Sequence, residues 1–356
     1  MMKKRIPNNH IKKKTISLLT IGFLIILVHS KTLTGTGLTS ITTCEEIGKD
    51  ELIMALQSDD SAVFMPAVRK LAIMSAEEAA NKYAKAVPYL KIIIEKHKTV
   101  RKIKEPAIQA LNNSGGTLET FRFLSERNWN QQFFDSGRKN WEKQWHLDGI
   151  KATVKNTNKG MEFHAGAVPF DDSSHAVLWT EDYFQGDLMI EYDYTRLDDR
   201  TRFVNILYIQ ATGSGDGPHL KDIMKWKNLR QIPAMRQYYS NMYLYHVSYA
   251  AFTNRDGENK PGYIRARRYM STEKLRGTEL KPDYLPGGLF EKDVKHHIKV
   301  IKTNRHIFMK ITSPNWEKLC HWYNTKFPPI TEGYVGLRHM CTRAAMYGNF
   351  KISGLK

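Results

Sequence analysis

"NILYIQATGSGDGP", residues 205–218, decides how most of this sequence is read. Side chains two apart on a strand share a face, so Val204 and Ile206 are followed on one side by Tyr208, Gln210 and Thr212. The strand therefore turns from apolar to polar toward one end, which is the pattern of a cleft floor and not of a plain core strand. The glycine-rich end that follows lets backbone approach a ligand closely, although such turns are common between strands.

From "DSGRKNW" (135–141) onward, short alternating runs are punctuated by "NTNKG", "NRDGENKPG", "LPGG" and "TSPN". Twelve strands, from Ala152–Lys155 to Asn349–Ser353, predict an all-β jelly-roll sandwich over residues 138–356. Helical spacing appears there only near Leu220 to Asn228 and Arg230 to Tyr239.

Upstream the period changes. Residues 44–113 carry apolar positions three and four apart. Pro66, Ala67, Val68 and Leu71 return as Pro106, Ala107, Ile108 and Leu111, forty residues on. That spacing is close to paired-helix solenoids of the HEAT type and predicts a small all-α domain. "NNSGGT" (112–117) reads as the start of a linker over 114–137, which also holds a short helix, Leu118 to Phe134.

The 356 residues carry a net charge of +18 with a pI near 9.6, and 41% are hydrophobic. A disordered chain is excluded and an anionic partner is favoured. The first thirty residues hold six basic and no acidic side chains ahead of the apolar run Ile16 to Val28. That predicts a signal peptide over 1–30 and export to the periplasm, the cell surface or the medium, with an uncleaved anchor, or lipidation at Cys44, as the other outcomes. The three cysteines, Cys44, Cys320 and Cys341, show no metal-type spacing. Cys320 and Cys341 either pair as a disulfide or are two small buried residues.

In "YIRARRYM" (263–270), Tyr263, Arg265, Arg267 and Tyr269 share one face, opposite Ile264, Ala266 and Met270, while Arg268 points outward. Two guanidiniums between two phenols suit an anionic sugar chain, because arginine forks onto carboxylate or sulfate oxygens and tyrosine stacks on sugar rings. His246 and Ser248 share a face in "LYHVSYAAF". His321 and Tyr323 share a face in "LCHWYNT", and "GLRHMCTRAAMYG" offers Arg338, His339, Arg343 and Tyr347. A lone histidine is more often structural than catalytic, but the set as a whole suits β-elimination in a polyuronate.

In that reaction Gln210 neutralises the substrate carboxylate, His246 removes the ring proton and Tyr208, or less well Tyr249 on the opposite face, protonates the leaving oxygen. Arg265, Arg267, Tyr263, Tyr269, His321, Arg338, His339 and Arg343 bind substrate. No metal or other cofactor is required, and Ca²⁺ enters only as a loop stiffener. "IEYDYTRL" carries Glu191 and Asp193 but Arg196 where a sandwich-type retaining glycosidase has a third carboxylate, which argues against hydrolysis of that type. Export argues against nucleic acid, and no basic amphipathic helix supports membrane binding.

Long segments, among them "HAVLWTEDYFQGDLMIEYDYTRLDDRTRFVNILYIQATGSGDGP", "YIRARRYM" and "LCHWYNTKFPPITEGYVGLRHM", resemble the YesU-like family, long labelled a domain of unknown function, from about residue 141 to the end. The resemblance implies a concanavalin A-like jelly roll associated with polysaccharide utilisation, including that of rhamnogalacturonan, and assigns no catalytic residues. The expectation is an exported lyase acting on an acidic polysaccharide. A non-catalytic carbohydrate-binding protein and a glycoside hydrolase are the alternatives.

Overall fold

A computed structural model describes residues 48–355 except 75, 253–261 and 286–288. The basic leader, its apolar run and Cys44 lie outside the described residues.

Six helices come first: α1 (Lys49–Ala55), α2 (Ser61–Ile73), α3 (Ala76–Tyr83), α4 (Val87–Lys96), α5 (Arg101–Leu111) and α6 (Thr117–Ser125). Their apolar stripes meet in one core that includes Leu52, Phe64, Leu90 and Ile94. Pro66 lies inside α2 and Pro106 inside α5, and the residues after each, Val68 with Leu71 and Ile108 with Leu111, are buried in that same core.

The expected linker is a buried joint instead. Residues 112–116 form a wide helical turn with Asn112, Asn113, Ser114 and Gly116 buried. Asn113 Nδ2 donates to the carbonyls of Leu71, Ala72 and Met74 at 2.9, 3.1 and 2.9 Å, satisfying the end of α2. The glycines serve tight geometry: Gly115 has φ +85°, and a Cβ on Gly116 would lie 2.3 Å from the Leu111 carbonyl oxygen.

The helix expected to reach Phe134 stops at Ser125. Residues from Trp129 on gain an antiparallel partner at the C-terminal end of the chain and become a strand. The eight-stranded sheet runs β13 (Glu317–Tyr323), β12 (His306–Thr312), β11 (Lys295–Lys302), β6 (Leu188–Arg196), β15 (Ala344–Leu355), β4 (Met161–His164) and β3 (Thr153–Asn156), with β1 (Trp129–Asp135) also pairing β15. The seven-stranded sheet runs β10 (Glu279–Tyr284), β9 (Ile264–Tyr269), β8 (Met242–Tyr249), β7 (Asn205–Gly213), β14 (Glu332–His339), β5 (Ala176–Gln185) and β2 (Trp145–Asp148). This is the jelly-roll sandwich. Strands β1, β2 and β10 add to the twelve read from sequence; β10 carries Pro282, which an edge strand tolerates.

The core between the sheets includes Leu178, Ile190, Leu207, Val247, Ala266, Ile298 and Leu337. The seven-stranded sheet has a second apolar face. Val177, Trp179, Ile206, Tyr208, Leu244, Tyr269 and Tyr334 form a separate cluster on the side away from the other sheet, with Ile223, Trp226 and Tyr238 packed over them. These last three belong to a strap made of a 3₁₀ stretch, Ile223–Arg230, and α7 (Met235–Tyr239). Asp148 at the end of β2 pins it. Its Oδ2 accepts from Arg230 Nε at 2.6 Å, Trp179 Nε1 at 2.8 Å and Tyr238 OH at 3.0 Å. Arg230 and Asp148 both have fully buried side chains.

The helical layer joins the other sheet. Phe121 and Leu124 of α6 pack on Met189, Ile301 and Phe308 of its outer face. Cys320 and Cys341 are both buried and free, so the disulfide alternative fails and the small buried residue reading stands.

Two measurements test this architecture by chemical denaturation. Leu124→Ala, at a fully buried position between helix and sheet, should cost about 2–5 kcal/mol; a loss below about 0.5 kcal/mol would mean that α6 does not hold the sheet. Asp148→Ala strands Arg230 without its carboxylate and should cost about 3–5 kcal/mol. An unchanged urea midpoint would show that the strap is not held there.

Candidate functional site

The outer face of the seven-stranded sheet gathers the residues read as the site. Tyr208 on β7 lies opposite His246 on β8, which lies opposite Arg267 on β9. One step along the strands, Arg338 on β14, Ile206, Ser248 and Arg265 form a parallel row. Two-residue periodicity and antiparallel register suffice to put these side chains together.

His246 is the centre. Its Nδ1 lies 2.5 Å from Tyr269 OH, and its ring is 5.8 Å from that of Tyr208. Burial holds the imidazole well below its usual pKa, and Arg267, Arg338 and Arg265 push the same way. Burial raises the Tyr269 hydroxyl well above its ordinary range and raises that of Tyr208 too. The pair at neutral pH is therefore an uncharged imidazole beside a protonated phenol, a base and an acid in hydrogen-bond contact.

The three arginines differ in their partners. Arg265 forks onto Asp283, Nε to Oδ1 at 3.0 Å and Nη2 to Oδ2 at 2.6 Å, and its guanidinium lies 4.2 Å from the centre of the Tyr263 ring. Arg267 bonds Glu279 at 2.7 Å and the Leu275 carbonyl at 2.6 Å. Both carboxylates stand on β10, which sequence reading missed because its short run "ELKPDY" carries a proline. Arg338 is fully buried and has no carboxylate partner among the described residues. Nη2 donates to the Pro233 carbonyl at 2.7 Å, Nε approaches the Met340 sulfur, and Nη1 has no hydrogen-bond partner. Strap residue Tyr238 lies over Arg338 at 4.6 Å and stacks on Tyr208.

Five expected site residues stand elsewhere. Gln210 breaks the alternation: with φ +52° it sits in a bulge, where Ile209 pairs Tyr245 and the next pairing is Thr212 with Tyr243. Its amide donates to the carbonyls of Gly186 at 3.0 Å and Thr331 at 3.2 Å, away from the His246 row. Tyr249 points between the sheets and pairs with the Tyr192 hydroxyl at 3.2 Å. His339 is on the inter-sheet side, stacked on Phe163 and bonded to Tyr347 OH at 2.8 Å. Arg343 is buried with Arg196 around Asp198, each 3.1 Å from it. His321 is on the other sheet, facing the helices. Arg268, read as outward, is buried and donates to the Pro328 carbonyl.

The carboxylates Glu191 and Asp193 lie on the outer face of the eight-stranded sheet, tied to Lys299 and Lys351 and to His297 and Asn349 respectively. Burial raises the Glu191 pKa, but the two lysines outweigh it and leave it lowered, so it stays ionised. A groove of about 270 Å³ beside them is lined by Phe121, Arg122, Lys299 and Lys310. Among the described residues no three of His, Cys, Asp and Glu cluster as metal ligands.

Solved structures of similar shape include a Bacillus subtilis protein of unknown function with a galectin-like fold, at 17% identity and TM-score 0.49, covering 64% of this chain and 100% of that one. The carbohydrate-binding module CBM66 from Bacillus subtilis aligns at 15% identity and TM-score 0.34, covering 58% and 93%. A lectin of Ulex europaeus aligns at 9% identity and TM-score 0.40, covering 63% and 98%. No curated protein matches the sequence. Residues 134–352 match DUF1961, a domain of unknown function, and the chain belongs to that family.

Proposed function

We propose that this protein binds an acidic polysaccharide outside the cytoplasm and cleaves it by β-elimination on the outer face of the seven-stranded sheet. The observation that carries the reading is Arg338, a buried guanidinium with no acidic partner among the described residues, on the same face as the neutral His246 and the protonated Tyr269. Arg338 takes the role first given to Gln210: it neutralises the uronate carboxylate and acidifies the ring proton beside it. His246 accepts that proton as the ring double bond forms. Tyr269 or Tyr208 returns a proton to the oxygen leaving the neighbouring carbon. No step needs a metal or an organic cofactor.

Arg265 and Arg267 keep 25% and 11% of their side chains exposed, which makes the β9 and β10 border the side from which a sugar chain approaches. His246 is 3% exposed, so reaction requires the strap to shift. The basic leader and apolar run support export, and the resemblance to the YesU-like family supports a role in polysaccharide utilisation. The paired prolines of α2 and α5 support a HEAT-like helical layer. Charge pairing of both border arginines favours one alternative, a module that binds the glycan without cutting it.

Incubation with pectin, alginate, ulvan and glucuronan separates these readings. Growth of the ultraviolet band of the unsaturated uronate is expected on at least one substrate. His246→Ala and Arg338→Ala should each lower it by about 100-fold or more. Binding without the band selects the module, and new reducing ends without the band select hydrolysis. The pH profile gives a second check. A base whose pKa is depressed stays unprotonated as pH falls through the ordinary histidine value, so the acid limb of kcat/KM should lie below about 6.5. An acid limb at or above that value would remove His246, with Arg265, Arg267, Arg338, Tyr208, Tyr238 and Tyr269 around it, from the role of base.

A further inference from the structure

Three cationic side chains meet where the helical layer rests on the eight-stranded sheet, each from a different part of the chain. Lys104 is on α5, Arg127 follows α6, and Arg305 stands in the turn between β11 and β12. With Asp187, Asn304 and Tyr323 they line a cavity of about 50 Å³. Lys104 and Arg127 also belong to the wall of a cleft of about 610 Å³ outside it, with Phe123, Asn128 and Leu355.

The carboxylates at this seam are already engaged. Glu105 accepts from Arg101 at 2.9 Å and from Asn304 at 3.0 Å. Asp187 is attracted to Lys302, a buried ammonium that donates to the neighbouring Gly186 carbonyl at 3.1 Å. Burial raises the Asp187 pKa and lowers that of Lys302 to about 8, while the attraction between the two opposes both shifts. None of Lys104, Arg127 and Arg305 makes an ion pair among the described residues. Arg305 gives one nitrogen to the Asn324 carbonyl at 2.8 Å, and the Arg127 guanidinium lies 5.1 Å from the centre of the Phe123 ring.

Half-buried like charges repel one another. Burial lowers the Lys104 pKa and the Arg127 guanidinium lowers it further, so the fold holds these groups together at a cost that an anion between them removes. The donors present suit an oxyanion: an ammonium, two guanidiniums, and the Tyr323 hydroxyl, which burial keeps protonated. The cavity is several times the about 10–15 Å³ that one water requires, so it admits an ion of a few heavy atoms. The outer cleft is more mixed, with Glu95 paired to Lys98 at 3.2 Å and Glu126 exposed. It suits the uncharged remainder of a larger molecule.

We propose that Lys104, Arg127 and Arg305 form a binding site for a doubly charged tetrahedral oxyanion, taken up free or as the phosphate group of a small molecule whose remainder lies in the outer cleft. An anion there neutralises side chains of the helical layer and of the sheet at once. The site is on the opposite sheet from the His246 row and does not rest on the proposed lyase activity.

The test is calorimetric titration of the full chain in a buffer free of phosphate and sulfate. Inorganic phosphate or a hexose 6-phosphate should bind at one equivalent per chain, the tighter of the two naming the source of the group. Lys104→Met and Arg127→Gln should each weaken that binding by about 10-fold or more. Asp187→Asn, which removes a negative charge from the cavity wall, should strengthen it. Lys98→Gln removes a positive charge from the outer cleft, where Glu95 already pairs it, and should change the affinity by less than about 2-fold. Failure of the wild-type chain to bind either phosphate at one equivalent overturns the proposal, and so does equal binding of the unphosphorylated hexose. A loss in Lys98→Gln equal to that in Lys104→Met also overturns it, because the net charge of +18 would then act without a site. The wild-type titration and the exposed Lys98 control decide the matter even if an interior variant fails to fold. No polysaccharide enters these measurements, so their failure and the failure of the lyase reading are separate results.

Discussion

Asp148 is a carboxylate removed from water, and three donors converge on one of its oxygens. Paired with Arg230, it holds a strap across a sheet face that would otherwise present Trp179, Tyr208 and Tyr269 to solvent. The state of the candidate site follows from this contact. With the strap seated, His246 is buried among guanidiniums, and its pKa lies well below the usual imidazole value. A buried ion pair seldom adds net stability over an apolar substitute. What it supplies here is position, because only a segment carrying Arg230 and Tyr238 at the right spacing satisfies Asp148.

The two sheets solve their outer faces differently. The seven-stranded sheet covers its apolar face with its own excursion between β7 and β8. The eight-stranded sheet has a mixed face: charged at Glu191, Asp193, Lys299 and Lys351, apolar at Met189, Ile301 and Phe308, and only the apolar part is covered by α6. The helical layer is fastened there by α6, and beside it by α5, where Glu105 accepts from Asn304 at 3.0 Å. Asn112 and Asn113 sit at that joint, one facing the histidines of the sandwich and the other closing α2.

Where local alternation was unbroken, sequence reading placed residues well. Tyr208, His246, Arg265, Arg267 and Tyr269 share a face because each strand keeps period two and neighbouring strands keep register. It failed where one residue departs from that period. Gln210 enters a left-handed conformation in a bulge and turns its amide toward the Gly186 and Thr331 carbonyls, a displacement that composition does not signal. It failed again on partners, since Asp283 and Glu279 reach Arg265 and Arg267 from an edge strand that Pro282 disguises. "NNSGGT" misled for a related reason: glycines that allow flexibility also allow close approach, and here the neighbours demand the second.

The amino-acid sequence by itself determined the two textures, helical then stranded, the sandwich class, and the faces on which tyrosine, arginine and histidine alternate, because periodicity is a local property of the backbone. Tertiary structure alone decided which of those faces is covered, which arginine is left without an acid, and that His321 meets His306 and Asn112. Those outcomes depend on contacts between residues far apart along the chain, such as the 194 positions separating Asn112 from His306, and no local pattern encodes them.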